Sequence, residues 1–493
     1  MEAKIKPSSR AEISVRLRKS VAKRRAKRTL QQAGIDFNDT FAPVLRHKSL
    51  KVILALTALF DLELVQMDVV TAFLNADIKE QLYMKQPQGY HKGGVNMVCR
   101  LLKSVYGTKQ APHNWNETVN EFLISIGFTR CISDTCVYIR KTKTGKIILI
   151  GLYVDDLPIA YHKDDLVEWE EIKTQFTNRF KMKYLGECRL ILGMRITRNR
   201  TNKILTIDNE VHINRMLTHF QMSDCQPKST PATNEKLIQT PKQDENIVDK
   251  PYYQSIVGAL NYLQQTTRPD IALATNQLCR HASNPGPQHL IAAKRVLRYL
   301  RGTAHVGLTY SGGDEILEMD KPLPISIETW TDADWGGDLN DRKSTTGLVV
   351  KIDGCSVSWS TKKQATVALS TAEAEYMAIA AGVQESLYIK QLLCELLGPS
   401  SIPESCKIYT DNQSALCISK NDTNHQRAKH IDIKHHFIRD RVKDGSMNIS
   451  WVPTSQQMAD ILTKPLGQFQ HIKFREALMN TNKIYSMSTK GST

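Results

Sequence analysis

The chain has 493 residues, and its 66 Lys and Arg exceed its 50 Asp and Glu to give a formal net charge of +16. This length allows two or three domains, and the positive charge indicates a polyanionic partner. No apolar run reaches the roughly eighteen residues that a membrane helix needs, and the ten cysteines show no CxxC pairs or regular spacing. We therefore expect an intracellular protein with reduced thiols and no membrane contact.

The N-terminal part begins with a strongly basic segment. Residues 1–28 contain eleven Lys or Arg and two Glu. They predict a disordered tail over 1–30 that is either solvated or a nuclear-localisation or phosphate-binding segment. Apolar residues at helical spacing then predict a core helix over 50–60. The run LELVQMDVV (62–70) predicts a strand with one acid, Asp68, near its end.

The stretch IILIGLYVDDLPIAY (147–161) places two adjacent acids, Asp155 and Asp156, inside an otherwise apolar run. It predicts a hairpin whose turn lies at these acids. Two interpretations are open from the stretch alone. One is an exposed hairpin tip, and the other is a divalent-metal site that relieves the repulsion and lost hydration of the two carboxylates. A neighbouring antiparallel strand that carries Asp68 would supply a third ligand for two metal ions.

The middle of the chain is mainly helical by pattern. Periodicity and composition predict, in order, a helix over 165–180, strands within 182–196, a helix over 208–220, a linker over 223–251, and helices over 252–265, 271–282 and 288–301. The last helix is rich in basic side chains, which either contact phosphates or form a solvated face: Lys294, Arg295, Arg298 and Arg301.

The C-terminal part predicts an α/β domain with a mixed sheet, because three strands are followed by alternating helices and strands. The predicted order is strand 325–332, strand 346–353, strand 355–361, helix 371–397, strand 406–411, helix 412–420, helix 433–443, strand 447–452 and helix 456–463. Four acids lie at the ends of these elements: Asp332, Glu375, Asp411 and Asp460. Taken singly, such acids have a structural explanation as helix caps or first-turn residues.

Three motifs resemble the reverse transcriptase of copia-type LTR retrotransposons, in the same order and at similar separations. They are QMDVVTAFLNADIKEQLYMKQPQGY (66–90), VCRLLKSVYGTKQAPHNW (98–115) and LYVDD (152–156), and the resemblance extends from about Gln31 to about Lys473. It implies that three acids are catalytic and bind metal: Asp68, Asp155 and Asp156. It also implies nucleotide or template contacts at Phe73, Gly107, Lys109, Pro112, Tyr153 and the primer-grip residues Leu192 and Gly193. Without the motifs, Phe73 would fit a core aromatic, and Gly107 and Pro112 would fit a turn.

Four further motifs, TDADW, STAEAEYMA, YTDNQSA and MADILTKPL, resemble the ribonuclease H domain of the same elements. This resemblance implies that two Mg²⁺ ions are held by four carboxylates: Asp332, Glu375, Asp411 and Asp460. Asp334 lies on the same side of its strand as Asp332 and is the alternative ligand. The run HQRAKHIDIKHHFIRD suggests either zinc binding or an ordinary segment of such a nuclease, through His425, His430, His435 and His436.

Together these features predict a multidomain protein of the α/β and α+β classes. A right-hand polymerase with palm, fingers and thumb would be followed by a ribonuclease H-like mixed-sheet domain. The predicted boundaries are a basic tail (1–30), reverse transcriptase fingers, palm and early thumb (31–222), a linker (223–251), a helical thumb or connection (252–322), a ribonuclease H-like domain (323–473) and a disordered tail (474–493).

The resemblance implies an RNA-directed DNA polymerase and a ribonuclease H that use Mg²⁺ or Mn²⁺, two ions per active site. Its partners would be an RNA template, a DNA primer, an RNA–DNA hybrid and dNTPs, in a cytoplasmic virus-like particle or in the nucleus. Two alternatives stay open. One is a degenerate copy that only cleaves hybrids, and the other is a basic nucleic-acid-binding protein without turnover.

Three departures from the family pattern concern the polymerase. The N-terminal fingers are expected to be truncated, since Met1 to Ala22 shows no similarity to that region. Thr108 stands where the family usually has Leu, and a polar group in an apolar socket costs roughly 1–3 kcal/mol unless it is hydrogen-bonded. Pro158 falls in the return strand of the hairpin. Because proline has no backbone N–H to donate, it is expected to distort the hairpin.

Overall fold

The computed structural model describes residues 31–34, 36–89, 91–92, 97–241, 247–312, 325–420 and 429–481, except for the side chains of 420 and 429–435. The basic tail predicted over 1–30 lies outside these residues. Within them the helices are α1 His47–Leu59, α2 Ala111–Ser125, α3 Leu166–Arg179, α4 Glu210–His219, α5 Lys250–Thr266, α6 Ala272–Cys279, α7 Pro287–Gly302, α8 Thr371–Leu397, α9 Gln413–Lys420, α10 Lys429–Lys443 and α11 Gln468–Met479.

The strands are β1 Glu63–Val69, β2 Tyr83–Lys85, β3 Val98–Arg100, β4 Thr129–Arg130, β5 Val137–Lys141, β6 Ile147–Gly151, β7 Asp156–Tyr161, β8 Met182–Glu187, β9 Leu190–Ile191, β10 Met194–Asn199, β11 Ile204–Asp208, β12 Leu308–Ser311, β13 Ile327–Ala333, β14 Thr345–Ile352, β15 Cys355–Lys363, β16 Cys406–Thr410 and β17 Met447–Trp451. Short 3₁₀ segments lie at Ala72–Asn75, Lys163–Asp165, Pro269–Ile271, Pro399–Ser401, Thr454–Gln456 and Met458–Leu462. No helix among the described residues is both long and apolar enough to cross a membrane.

The described chain divides into two compact units. The first contains the described residues up to Arg46 together with Leu62–Cys188, and the second contains His47–Asp61 together with the described residues from Arg189 onward. This division differs from the boundary predicted after residue 222, because α1 and the stretch 189–222 belong with the C-terminal elements. Motif order therefore does not mark the packing units.

The first unit is built around a six-stranded antiparallel sheet in the order β4-β5-β6-β7-β1-β8. All five residues of β6 are buried, as its apolar sequence IILIG predicts. Helices α2 and α3 contact each other through aromatic side chains, with the ring centroids of Phe122 and Phe176 5.1 Å apart. The strand that carries Asp68 and the hairpin that carries Asp155 and Asp156 are thus neighbours at the centre of one sheet.

In the second unit, helices α4 to α7 share an apolar core, and β9 to β12 form a four-stranded sheet. The predicted linker is irregular over 223–241, but it packs on this core and is not a free connection. Arg298 Nε donates to Gln226 O at 2.6 Å, and a ring nitrogen of His289 lies 2.9 Å from Ile238 O. The side chains of α7 thus provide hydrogen-bond partners for the backbone carbonyls of Gln226 and Ile238.

The second unit also contains a five-stranded mixed sheet in the order β15-β14-β13-β16-β17, covered by α8. Strands β14 and β15 pair antiparallel, whereas β13, β16 and β17 are parallel. The predicted order of elements is confirmed as far as β17. Ser370 caps α8 by accepting a hydrogen bond from Glu373 N, which fixes the start of the helix shortly before Glu375.

The C-terminal end differs from the prediction. In place of a helix over 456–463 there are two 3₁₀ segments, and the tail predicted to be disordered from residue 474 begins inside α11. Phe474 and Leu478 lie one helical turn apart and are fully buried, which anchors this helix. Described residues continue to 481, and the rest of the predicted tail lies outside them.

Candidate active sites

The first cluster of acids lies where β1 meets the hairpin. Asp68 is directly opposite Asp156 in the antiparallel register of β1 and β7, and Val69 N donates to Asp155 O at 2.9 Å. Tyr153 and Asp156 exchange both backbone hydrogen bonds, at 2.9 and 3.0 Å. The three acids are all partly buried, so the hairpin is not the exposed tip that one interpretation expected.

Two side chains that the sequence analysis did not single out hold this hairpin. Gln66 lies two residues before Asp68 on the same face of β1, and its Nε2 donates to Asp156 Oδ1 at 3.0 Å. Trp115 Nε1 donates to the carbonyl of Val154 at 2.6 Å, and Val154 has a positive φ of 57°. The period-2 spacing of Gln66 and Asp68 was a signal that could have revealed the first of these contacts.

Electrostatics at the hairpin favour a bound cation. Burial raises the pKa of Asp155, and the carboxylates of Asp156 and Asp68 raise it further. Burial also raises the pKa of Asp156, with a further contribution from Asp68, while the hydrogen bond from Gln66 opposes the shift. A divalent ion with oxygen ligands would relieve this repulsion, so the residues present fit Mg²⁺ or Mn²⁺.

The two departures predicted to harm this region are accommodated. Strand β7 includes Pro158, which lies opposite Gln66 of β1. The pairing of β6 with β7 stops at Ile159, the residue after Pro158, and the two arms of the hairpin meet again only at the bridge between Tyr153 and Asp156. Thr108 is buried, but its hydroxyl donates to Val105 O at 2.9 Å. The expected cost of an unpaired hydroxyl is therefore avoided at Thr108, whereas Pro158 lies at a gap in the β6–β7 pairing while its strand stays paired with β1.

Two of the residues expected to contact nucleotide or template, Phe73 and Gly107, belong to the first unit, as the three acids do. The ring of Phe73 packs against that of Tyr106 with centroids 4.4 Å apart, and Gly107 follows with a positive φ of 104°. Burial raises the pKa of Tyr106, and Asp155 and Asp68 contribute to the shift. The sequence analysis did not name Tyr106, which contacts Phe73 and lies close enough to Asp155 and Asp68 for their charges to affect it.

The remaining predicted contacts are distributed differently. Lys109 N donates to Gln31 Oε1 at 2.7 Å, and Pro112 lies in the first turn of α2. Leu192 and Gly193 form the turn between β9 and β10 in the second unit, with φ of 48° and 79°. Their carbonyls accept hydrogen bonds from Tyr262 Oη at 2.6 Å and from Asn209 Nδ2 at 2.7 Å.

The second cluster of acids lies at one edge of the mixed sheet. Asp332 is on β13, Glu375 is on α8 and Asp411 directly follows β16. One ligand atom from each of these three lies within 4.8 Å of the other two, and no other group of three His, Cys, Asp or Glu meets this criterion among the described residues. Asp411 is oriented by Thr454, whose hydroxyl donates to its Oδ2 at 2.7 Å.

Asp460 joins this cluster through a lysine that the sequence analysis overlooked. Lys464 Nζ donates to Asp460 Oδ1 at 3.0 Å and to Asp332 Oδ1 at 3.2 Å. Thr463 donates to the other oxygen of Asp332. The spacing of four residues between Asp460 and Lys464 was a recognisable signal.

Burial and mutual repulsion dominate this second cluster. Burial raises the pKa of Glu375 far above its usual value, and Asp332 and Asp411 add to the shift. Glu375 Oε2 is buried and accepts no hydrogen bond. Burial likewise raises the pKa of Asp460, opposed by Lys464. A buried carboxylate oxygen without a donor, beside two further acids, fits a site for divalent metal ions.

The two alternative ligand sets from the sequence were Asp334 and a group of histidines. Asp334 accepts a hydrogen bond from Thr345 N and is not part of the close group, so Asp332 is the acid that faces Glu375. His436 is exposed, whereas the side chains of His425, His430 and His435 lie outside the described residues. No described histidine belongs to a cluster with metal-ligand spacing.

Comparison with known proteins gives the family. Residues 11–234 match the family described as "Reverse transcriptase (RNA-dependent DNA polymerase)". The similarity therefore starts upstream of Gln31, and the expectation of no similarity up to Ala22 is wrong from residue 11 onward. The chain is 40% identical over 451 residues to the Retrovirus-related Pol polyprotein from transposon TNT 1-94 of Nicotiana tabacum, covering 90% of this chain and 33% of that protein. It is 34% identical over 322 residues to a transposon Ty5-1 protein of Saccharomyces cerevisiae, covering 65% of this chain and 100% of that protein.

A solved structure of a foamy viral protease-reverse transcriptase in complex with double-stranded DNA is similar with a TM-score of 0.46 and 12% identity, over 81% of this chain and 59% of that chain. The chain spans about a third of the length of the Pol polyproteins it matches. The smaller transposon protein is matched over its whole length at more than 30% identity. The chain therefore belongs to the family of copia-type retrotransposon Pol proteins and carries a reverse transcriptase domain.

Proposed function

We propose that the chain is an RNA-directed DNA polymerase with ribonuclease H activity, and that each activity uses two Mg²⁺ or Mn²⁺ ions. The observation that supports it most directly is the pair of carboxylate clusters, one at the hairpin of the first unit and one at the mixed-sheet edge of the second. In each cluster, carboxylates are held together at a cost in repulsion that a divalent cation would offset. On this proposal the first unit supplies the palm of a right-hand polymerase.

At the first cluster, metal ions would be held by Asp68, Asp155 and Asp156, and when bound they would lower the pKa of a primer 3′-hydroxyl and neutralise negative charge on a triphosphate. Gln66 holds the carboxylate of Asp156 in place through a hydrogen bond of 3.0 Å. Phe73, supported by the ring of Tyr106, presents an apolar surface that would exclude a 2′-hydroxyl from the incoming sugar.

At the second cluster, metal ions would be held by four residues and would activate a water for attack on RNA: Asp332, Glu375, Asp411 and Asp460. Thr454 and Thr463 fix the orientation of two of these carboxylates by donating hydrogen bonds. The chain needs no nucleophilic side chain for this reaction, since positioning and charge neutralisation supply the catalysis.

The proposed partners follow from these reactions. An RNA template, a DNA primer and dNTPs would bind at the first cluster, and an RNA–DNA hybrid would bind at the second. The net charge of +16 favours all of these polyanions. We place the protein in a cytoplasmic particle or in the nucleus, where such substrates occur.

The decisive experiment measures dNTP incorporation on a primed poly(rA) template and cleavage of a labelled RNA–DNA hybrid with one preparation. We expect Asp155→Asn to abolish incorporation only and Asp411→Asn to abolish cleavage only. Matched controls are Asp77→Asn and Asp440→Asn, which remove exposed carboxylates from the first and second units and should leave both activities unchanged.

The outcomes separate the three interpretations. Incorporation and cleavage that respond separately to the two variants support the proposal. Cleavage without incorporation supports a degenerate copy that acts only as a ribonuclease H. Folded protein that binds hybrid but shows neither activity supports a nucleic-acid-binding protein and contradicts the proposal.

A further inference from the structure

A cavity of about 730 Å³ lies within the second unit, between the segment 222–237 and helices α6 and α7. None of the acids from either carboxylate cluster lines it. Its size falls within the range of about 300–1,000 Å³ that is typical of small-molecule sites. The segment that covers it was predicted to be a linker, so neither the sequence nor the proposed activities account for this cavity.

The walls of the cavity combine an apolar floor with a basic rim. Leu237, Leu278 and Val296 contribute apolar surface, and Glu235 is the one acid among the lining residues. The rim carries five basic side chains: Lys228, Lys236, Lys294, Arg295 and Arg298. An excess of cations around a partly apolar cavity favours a ligand with an anionic group and a flat apolar part.

Several of the basic side chains at the rim are still able to bind an anion. No carboxylate among the described residues pairs with Lys228 or Lys294. Arg295 Nη2 donates to Thr230 Oγ1 at 2.9 Å, but its Nε is buried and has no acceptor. A buried guanidinium N–H without an acceptor is costly, and a phosphate or another anionic oxygen would satisfy it. Arg298 instead holds the covering segment through Gln226 O.

We propose that this cavity binds one nucleotide unit, with its phosphate on the basic rim and its base on the apolar floor. The unit could belong to an unpaired strand of nucleic acid or be a free nucleotide, since both present the same chemistry. The site uses neither carboxylate cluster, so it does not depend on polymerase or nuclease activity. Its occupant would lock the segment 222–237 onto α6 and α7.

Cys225 lines the cavity and provides a direct test of occupancy. Its rate of alkylation by a small maleimide would be measured by peptide mass spectrometry on the full chain, alone, with single-stranded oligo(dT), and with ATP. The exposed Cys417 on α9 serves as an internal reference because it lies outside the cavity. Slower alkylation of Cys225 relative to Cys417 is expected.

The comparison of oligo(dT) with ATP distinguishes an unpaired strand from a free nucleotide as the occupant. Protection by oligo(dT) alone identifies a strand-binding site, and protection by ATP as well identifies a site for a free nucleotide. Equal rates at Cys225 with and without both ligands, or equal slowing at Cys225 and Cys417, would overturn the proposal.

Variants make the test specific. Lys228→Ala combined with Lys294→Ala should abolish the protection of Cys225 and lower the salt dependence of oligo(dT) binding by about 0.7 per lost contact. Lys407→Ala, which removes an exposed cation from β16 on the same unit, should leave the protection unchanged. Loss of protection in the Lys407 variant would indicate general charge effects and contradict a defined site.

Discussion

Lys464 provides the most direct test of whether the second acid cluster binds metal ions. Its ammonium donates to Asp332 and Asp460 at 3.2 and 3.0 Å, and both carboxylates are almost fully buried. Burial opposes the charge on Lys464, but these two acids outweigh it and raise its pKa. We infer that Lys464 neutralises the same oxygens that a metal ion would use, so the two cations should compete.

The expected loss of folding stability follows from the burial of this ion pair. Removing one partner of a buried ion pair costs about 3–5 kcal/mol. Because the Lys464 side chain is 39% exposed, solvent screening reduces our expectation to about 1–3 kcal/mol. Lys464→Met should therefore destabilise the metal-free second unit by this amount, or roughly 2–4 °C in Tm for each kcal/mol. Competing cations are thermodynamically reciprocal, so Mg²⁺ should stabilise the variant more than the wild type by a similar free energy.

The assay is thermal unfolding of both proteins in EDTA and across a Mg²⁺ titration. Lys464→Arg keeps the cation and should behave like the wild type. Asp332→Asn removes a shared ligand and should abolish the contribution of this cluster to the Mg²⁺ response, which separates it from binding elsewhere. If Mg²⁺ raises the Tm of wild type and Lys464→Met by the same amount, the two cations do not share ligands and the inference fails.

Two further predictions concern stability. Arg268→Met should destabilise the second unit by about 3–5 kcal/mol, measured by urea unfolding, because it leaves the buried carboxylate of Asp270 without its partner. Burial alone would raise the pKa of Asp270, but Arg268 holds it at about 2. The wild type should therefore keep this stabilisation above the unfolded pKa of about 3.9 and lose it as the pH falls towards 2, whereas the variant should lack that dependence. Gly193→Ala should cost more than Gly145→Ala, since both have positive φ but only at Gly193 would a Cβ come within 2.5 Å of Tyr262 Oη.

Much of the fold could be predicted because it depends on local patterns. The mixed sheet was recognisable from three strand-like segments followed by alternating helices and strands, with the apolar run LVV in β14, and α8 from the apolar spacing along 371–397. The acids of the two clusters stood at strand and helix ends, where residues far apart in sequence meet. For Asp68, a neighbouring antiparallel strand was enough to suggest contact with the hairpin, whereas the grouping of the four acids in the second cluster was implied only by the family resemblance.

Contacts across long separations could not be predicted in this way. The spacing of Gln66 and Asp68 indicates that they share a face of β1, but the register with β7 is needed to show that Gln66 holds Asp156. The predicted tail from residue 474 is polar as a whole, which hid the apolar end of α11, and the position of this helix also depends on a buried contact between His471 and Tyr299. Composition predicts disorder for such a segment because it cannot show which distant surface will cover it.

Helix α1 shows why motif order and packing units diverge. Its periodicity predicts a core helix, and a lysine within it, Lys51, would normally mark a solvent-facing stripe. Lys51 is instead buried: its Nζ donates to Gln265 O at 2.8 Å and lies 3.9 Å from the ring centroid of Trp359. Burial lowers the pKa of Lys51 to about 7. The sequence predicts that this helix is buried, but only the partners of Lys51 show that it packs on β15. The chain therefore crosses from one unit to the other between Asp61 and Leu62, just before the strand that carries Asp68.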